Sequence, residues 1–165
     1  MKLRTIILGA VVLLVLVTVN FSIIQKERLL ARGETIYLEM APADPRALIQ
    51  GDYMALAYSL ARELDKRNDL VPDGLIVIKV EANGLAHFAR LYDGHSPLQA
   101  DERLLRYRQR GGQVWLGPES FFFEEGQAEA YQAARYAELK LAPSGEVLLV
   151  DLRGPNLEEL KRVAP

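Results

Sequence analysis

Nineteen consecutive positions, Ile6 to Ile24, carry no charged side chain, and Val11-Val12-Leu13-Leu14-Val15-Leu16-Val17 is apolar around the whole circumference of a helix. At 1.5 Å rise per residue such a helix is about 28 Å long, close to the thickness of a bilayer's hydrocarbon core. A core helix of a soluble domain would carry a polar stripe, and none is present. A cleaved signal peptide would have a shorter apolar region and a small-residue cleavage site. The segment therefore reads as an uncleaved membrane anchor over residues 1–32, with its span at about 5–24. No lipobox cysteine follows it.

Basic residues flank the span on both sides: Lys2 and Arg4 before it, Lys26, Arg28 and Arg32 after it. Their count does not set the orientation. The short N-terminal tail favours an N-in arrangement, with residues 25–165 outside the cytoplasm. The chain has 165 residues, with 20 Lys and Arg against 22 Asp and Glu, for a net charge of −2. That length allows the anchor and one domain. That balance argues against nucleic acid as a partner. With no cysteine, disulfides, thiolate metal sites and a cysteine nucleophile are excluded.

Beyond the anchor, patterning predicts mainly antiparallel strands. Gly33 is expected to end the helix as a C-cap. Glu34 to Met40 alternates with Ile36, Leu38 and Met40 on one face, as a strand does. Pro42 and Pro45 exclude a helix or a central strand in the loop that follows. Tyr53 to Leu60 alternates again and is read as a strand, although Ala, Leu and Met also suit a helix. Leu75 to Glu81, Asn83-Gly84 and Leu85 to Tyr92 form a predicted hairpin. Leu104 to Gln109, Gly111-Gly112 and Gln113 to Leu116 form a second. Gln127 to Tyr136 is expected to be helical. Glu138 to Leu141, Pro143-Ser144-Gly145 and Glu146 to Leu152 form a third hairpin, and the polar tail, residues 156–165, is expected to fray. The expectation is an α+β fold: one transmembrane helix, then a curved or barrel-like, mainly antiparallel β domain over 33–155 with one or two short helices.

The most specific motif runs from Pro42 to Tyr58. Asp44-Pro45-Arg46 precedes Gly51-Asp52-Tyr53, and Leu56 and Tyr58 follow at fixed places. This resembles the GDYXXLXY domain, a family of bacterial membrane-anchored proteins without an established activity. A second element, Glu119-Ser120-Phe121-Phe122-Phe123-Glu124-Glu125-Gly126, resembles the family's Phe-rich segment ending in Glu-Gly; Phe123, Glu125 and Gly126 match, and Glu124 stands where a proline is usual. Three consecutive phenylalanines cannot all face one side of a sheet, so at least one belongs at an edge, bend or interface. The resemblance implies an extracytoplasmic domain on a bacterial cytoplasmic membrane, acting beside a multi-pass membrane protein. It implies no cofactor.

Each motif residue has an architectural and a functional reading. Asp44 and Asp52 can bond loop N–H groups, Gly51 can take backbone angles closed to other residues, and Tyr53 and Tyr58 bring apolar area with a polar tip. Alternatively, Asp44, Arg46 and Asp52 line a docking surface, or a cleft for a small ligand or acid–base chemistry. His87 and His95 are not spaced as zinc ligands, and His95 with Asp93 and Asp101 is a poor metal candidate. Signal peptidases share an N-terminal span and a Gly-Asp step into a strand, but their serine precedes the loop. Met40-Ala41-Pro42-Ala43 holds no serine or threonine, Ser59 lies on the wrong side, and Lys79 has no nucleophile to activate. No catalytic residue and no metal ligand is assigned.

Overall fold

The structure, a computed structural model, describes residues 2–41, 53–124 and 127–160. Helix α1 (Lys2–Arg32) is followed by β1 (Glu34–Glu39), β2 (Tyr53–Ala55), α2 (Ser59–Leu64), β3 (Asp73–Val80), β4 (Ala86–Leu91), β5 (Glu102–Arg110), β6 (Gln113–Trp115), β7 (Ser120–Phe122), α3 (Ala128–Tyr131), β8 (Tyr136–Leu141) and β9 (Val147–Arg153). The domain is α+β, with a long apolar helix at its N-terminus, as expected.

Residues Ile6–Arg32 make a helix long and apolar enough to cross a membrane, and none of its most apolar stretch is buried against the domain. A continuous apolar surface of this size marks contact with a membrane or with another protein. The polar side chains inside it are satisfied locally. Thr18 Oγ1 donates to the Leu14 carbonyl and Asn20 Nδ2 to the Leu16 carbonyl, each at 2.8 Å. Such back-bonding removes most of the penalty that free donors would carry in hydrocarbon.

The helix stops where the sequence predicts, but Gly33 does not work as a left-handed cap, since it is not among the glycines with positive φ. It is needed for close approach. Its N–H donates to the Leu29 carbonyl at 2.8 Å. A Cβ there would lie 2.5 Å from that oxygen and 3.0 Å from Cβ of Lys140. The helix end is thereby set against β8.

Three antiparallel sheets follow, ordered β1-β8-β9, β4-β3-β5-β6 and β2-β7. Register shifts at Val77/Ile78 on β3 and Glu138/Leu139 on β8 bend the two larger sheets. The Tyr37 N–H donates to the Gly84 carbonyl at 2.9 Å, and the Arg106 N–H to the Gly145 carbonyl at 2.8 Å. These bonds stitch the larger sheets together, so the surface curls into a half-barrel. Its concave side holds Ile36, Leu38, Leu64, Ile76, Ile78, Leu105, Leu139 and Leu152, all almost completely buried.

All three predicted hairpins are present. Gly111 and Gly112 both take positive φ and make a two-residue turn. The Asn83-Gly84 turn differs in detail: only Gly84 has positive φ (86°), and its N–H donates to the Glu81 carbonyl at 2.9 Å. The same three-residue loop with a left-handed glycine recurs at Gly145. Elsewhere the structure corrects the sequence reading. The strand expected over Tyr53 to Leu60 ends at Ala55, and Ser59 opens α2 instead. The helix expected over Gln127 to Tyr136 is only Ala128–Tyr131, because Tyr136 pairs with Glu39 in the β1–β8 ladder.

Within the tail, Glu159 and Leu160 contact the domain, and residues 161–165 lie outside the described residues. Arg153, 15 % exposed in its side chain, bonds Glu138 at 2.6 Å on the strand side and Glu159 at 3.1 Å on the tail side. Leu160 packs on the core. Removing either partner of the buried Arg153–Glu138 pair would strand a charge, a costly change.

Gly74 sits directly opposite Tyr107 in the β3–β5 ladder. A Cβ on Gly74 would lie 2.6 Å from the Tyr107 ring, which is buried and whose hydroxyl accepts from the Val71 N–H at 3.3 Å. Gly74→Ala is therefore expected to destabilise the domain by about 1–3 kcal/mol. Urea unfolding in detergent checks this, with Gly9→Ala as the control: its added Cβ meets nothing within 4 Å. Equal midpoints for the two variants would refute the close stacking.

Candidate functional site

Of the motif residues, Asp44, Pro45, Arg46, Gly51 and Asp52 lie outside the described residues, as do Glu125 and Gly126 of the second element. The described part of the motif begins with the backbone of Tyr53, the first residue of β2. Strand β2 pairs antiparallel with β7 in the register Tyr53↔Phe122, Met54↔Phe121 and Ala55↔Ser120. The pairing continues past the ladder, where the Leu56 N–H donates to the Glu119 carbonyl at 2.7 Å. The two motif elements, from opposite halves of the chain, thus form one two-stranded ribbon.

Met54, Leu56 and Tyr58 point inward at period two and are buried. Leu56 belongs to the core cluster. Tyr58, 2 % exposed, donates its phenolic proton to the Pro118 carbonyl at 2.6 Å. Burial raises its pKa well above the ordinary tyrosine value, and the neighbouring Glu119 carboxylate adds to the rise. Desolvation likewise raises the Glu119 carboxyl. Tyr58 also bridges Met40 at the end of β1 and stands at the N-cap position of α2. These contacts make Leu56 and Tyr58 architectural.

In the Phe-rich element, Phe121 and Phe123 are half-buried and Phe122 is 75 % exposed. Phe121 meets Tyr131 edge-on at 5.0 Å between ring centroids, and Phe123 meets it at 5.3 Å. Such aromatic pairs add about 0.5–1.5 kcal/mol beyond area burial. Phe122 is the phenylalanine that the sequence argument required at an edge. Tyr131 and Pro118 were not anticipated. The only signal for Tyr131 was an aromatic residue inside a predicted helix, and nothing local marks a carbonyl acceptor such as that of Pro118.

The remaining candidates are engaged in local structure. The Asp93 carboxylate accepts from the backbone N–H groups of His95 and Ser96 and from the Ser96 hydroxyl. These bonds, the hydroxyl first, hold it below the usual carboxylate range. Asp101 pairs with Lys79 at 3.0 Å, and His87 Nε2 lies 3.0 Å from Glu81. Among the described residues no three His, Asp or Glu side chains come together to hold a metal ion.

Tyr58→Phe removes one hydrogen bond and is expected to cost about 1 kcal/mol, whereas Leu56→Ala is expected to cost about 2–4 kcal/mol. The pH dependence has a definite sign. The folded-state pKa of Tyr58 lies above that of an exposed tyrosine, so the unfolded chain ionises first. This contribution to stability is intact below about pH 10 and is lost above it. Unfolding curves at neutral and alkaline pH check both points. An alkaline loss of equal size in Tyr58→Phe would rule out Tyr58 as its source.

No curated protein and no solved structure matches the chain. A family model described as GDYXXLXY protein spans residues 15–152, from the middle of α1 to the penultimate residue of β9, and the chain therefore belongs to the GDYXXLXY family.

Proposed function

We propose that this protein is a single-pass, membrane-anchored interaction module of the bacterial cell envelope, with its β domain outside the cytoplasm and a multi-pass membrane protein as its partner. One observation carries the reading: both motif elements converge on the β2–β7 ribbon, which presents Phe122 with 75 % of its surface exposed. Its neighbours Phe121 and Phe123 turn inward onto Tyr131 and stiffen the ribbon from below. An exposed aromatic on a rigid support is the kind of group that anchors protein interfaces. Tethering by α1 would raise the local concentration of such a module toward any partner in the same bilayer. The motif residues Asp44, Arg46 and Asp52 precede the same strand in sequence.

The test is crosslinking of the tagged full-length protein in intact membranes, followed by gentle solubilisation and identification of what co-purifies. Phe122→Ser and the pair Arg46→Ala, Asp52→Ala run in parallel, with circular dichroism on each purified variant. A stoichiometric multi-pass protein that is lost in the folded variants is the expected result. Unfolded variants would make the loop architectural. A folded wild-type domain without a partner would remove this reading in favour of an envelope ligand sensor or enzyme using Asp44, Arg46 and Asp52.

A further inference from the structure

The outward face of β5 is a row of cations. Arg106, Arg108 and Arg110 alternate with the inward-facing Leu105 and Tyr107, and all three are exposed. Arg108 lies opposite Trp115 of β6, which is 40 % exposed. Together with Lys26 of α1 these residues line a cleft of about 320 Å³, in which Glu146 is the acidic member. Arg108 is partly neutralised by Asp73 at 3.1 Å. Arg106 and Arg110 have no ion-pair partner among the described residues. A second cleft, sharing Lys26 and Glu146, continues the basic surface to Arg28 and Arg32.

The position of Lys26 gives this surface its meaning. The uncharged run of α1 ends at Ile24. Lys26 lies two residues on, about 3 Å further along the axis. The headgroup layer beyond the hydrocarbon is about 5–8 Å deep on each side. If Ile24 marks the edge of the hydrocarbon, the cleft opens at headgroup depth. Arginine forks match phosphate oxygens, and a tryptophan with an apolar body and one N–H donor suits the same depth.

We propose that the β5–β6 cleft, lined by Lys26, Arg106, Arg108, Arg110 and Trp115, binds the headgroups of anionic phospholipids in the bilayer that holds α1, and so lays one face of the domain on the membrane. This rests on the reading of α1 as a membrane anchor. Each unneutralised arginine should contribute about a five-fold preference for an anionic over a neutral surface, falling as salt is raised.

Trp115 is the only tryptophan in the chain, so fluorescence excited beyond the tyrosine absorption band reports on the cleft alone. The full-length protein is reconstituted into phosphatidylcholine vesicles with and without phosphatidylglycerol, and its insertion is checked by flotation after alkaline washing. The emission maximum and quenching by neutral acrylamide are then compared. The expected result is a blue shift and reduced quenching only with phosphatidylglycerol, reversed by salt and absent in Arg106→Gln, Arg110→Gln. Equal spectra in the two lipids, with the protein inserted in both, would overturn the cleft assignment and leave the anchor intact. Failure to float would overturn the anchor and the cleft together. If free glycerol phosphate gives the same shift in phosphatidylcholine vesicles, with no effect of phosphatidylglycerol, the ligand is a soluble phosphate and the bilayer assignment falls. Should the double variant misfold, the wild-type lipid comparison decides alone.

Discussion

Tyr58 is the residue through which the separate parts of the domain are joined. Its backbone bridges Met40 at the end of β1, and the Ala41 N–H donates to the neighbouring Ala57 carbonyl at 2.7 Å. Its carbonyl accepts from the Arg62 N–H at 3.2 Å and so helps to open α2. Its hydroxyl reaches the Pro118 carbonyl, on the segment that leads from β6 to β7. The three-stranded sheet, a helix and the motif ribbon are thus held by one side chain and its own backbone. A phenol suits this place because it fills a large apolar volume and still supplies one donor at its tip.

From that junction the positions of both candidate surfaces follow. Helix α2 packs its Leu60, Ala61 and Leu64 face into the core, and Asp65, at its C-cap, accepts from the Val114 N–H at 2.6 Å. That bond fixes β6, and β6 carries Trp115 beside the arginines of β5. On the other side the Pro118–Glu119 step delivers β7 to β2, with Phe122 outward. One surface is basic and lies near the end of the apolar helix. The other is aromatic and is built from the family motif. A domain that rests on its own membrane by the first would hold the second in a restricted orientation toward a partner in the same bilayer.

Much of the fold was legible because glycine and alternation are local signals. Gly84, Gly111, Gly112 and Gly145 all take the left-handed backbone that their hairpins need. The alternation of Ile36, Leu38 and Met40 gives the face they bury. The errors arose where local preference and long-range pairing compete. Tyr53 to Leu60 alternates throughout, but Ser59 to Leu64 is rich in Leu, Ala, Arg and Glu, all good helix formers, and after Leu56 the chain leaves β7 for bonds to the end of β1 and then turns into α2. Gln127 to Tyr136 suits a helix on propensity, yet Tyr136 to Leu141 is claimed by β1 and β9, which offer ladder bonds on both edges. The role of Gly33 was misassigned because a close approach by Lys140 cannot be seen in residues 25 to 34.

By itself the sequence determined a membrane-length helix, the three hairpins, the antiparallel character of the domain and, through Gly51-Asp52-Tyr53 with Leu56 and Tyr58, its family. Each of these depends on side-chain type or backbone freedom over a few neighbouring residues. Only the tertiary structure decided that β2 pairs with β7, that Tyr58 bonds Pro118, that Phe122 rather than Phe121 or Phe123 faces outward, and that Lys26 of α1 shares a cleft with the β5 arginines. Those are contacts between distant segments. They depend on how the curled sheets close on one another, which periodicity along a single strand does not encode.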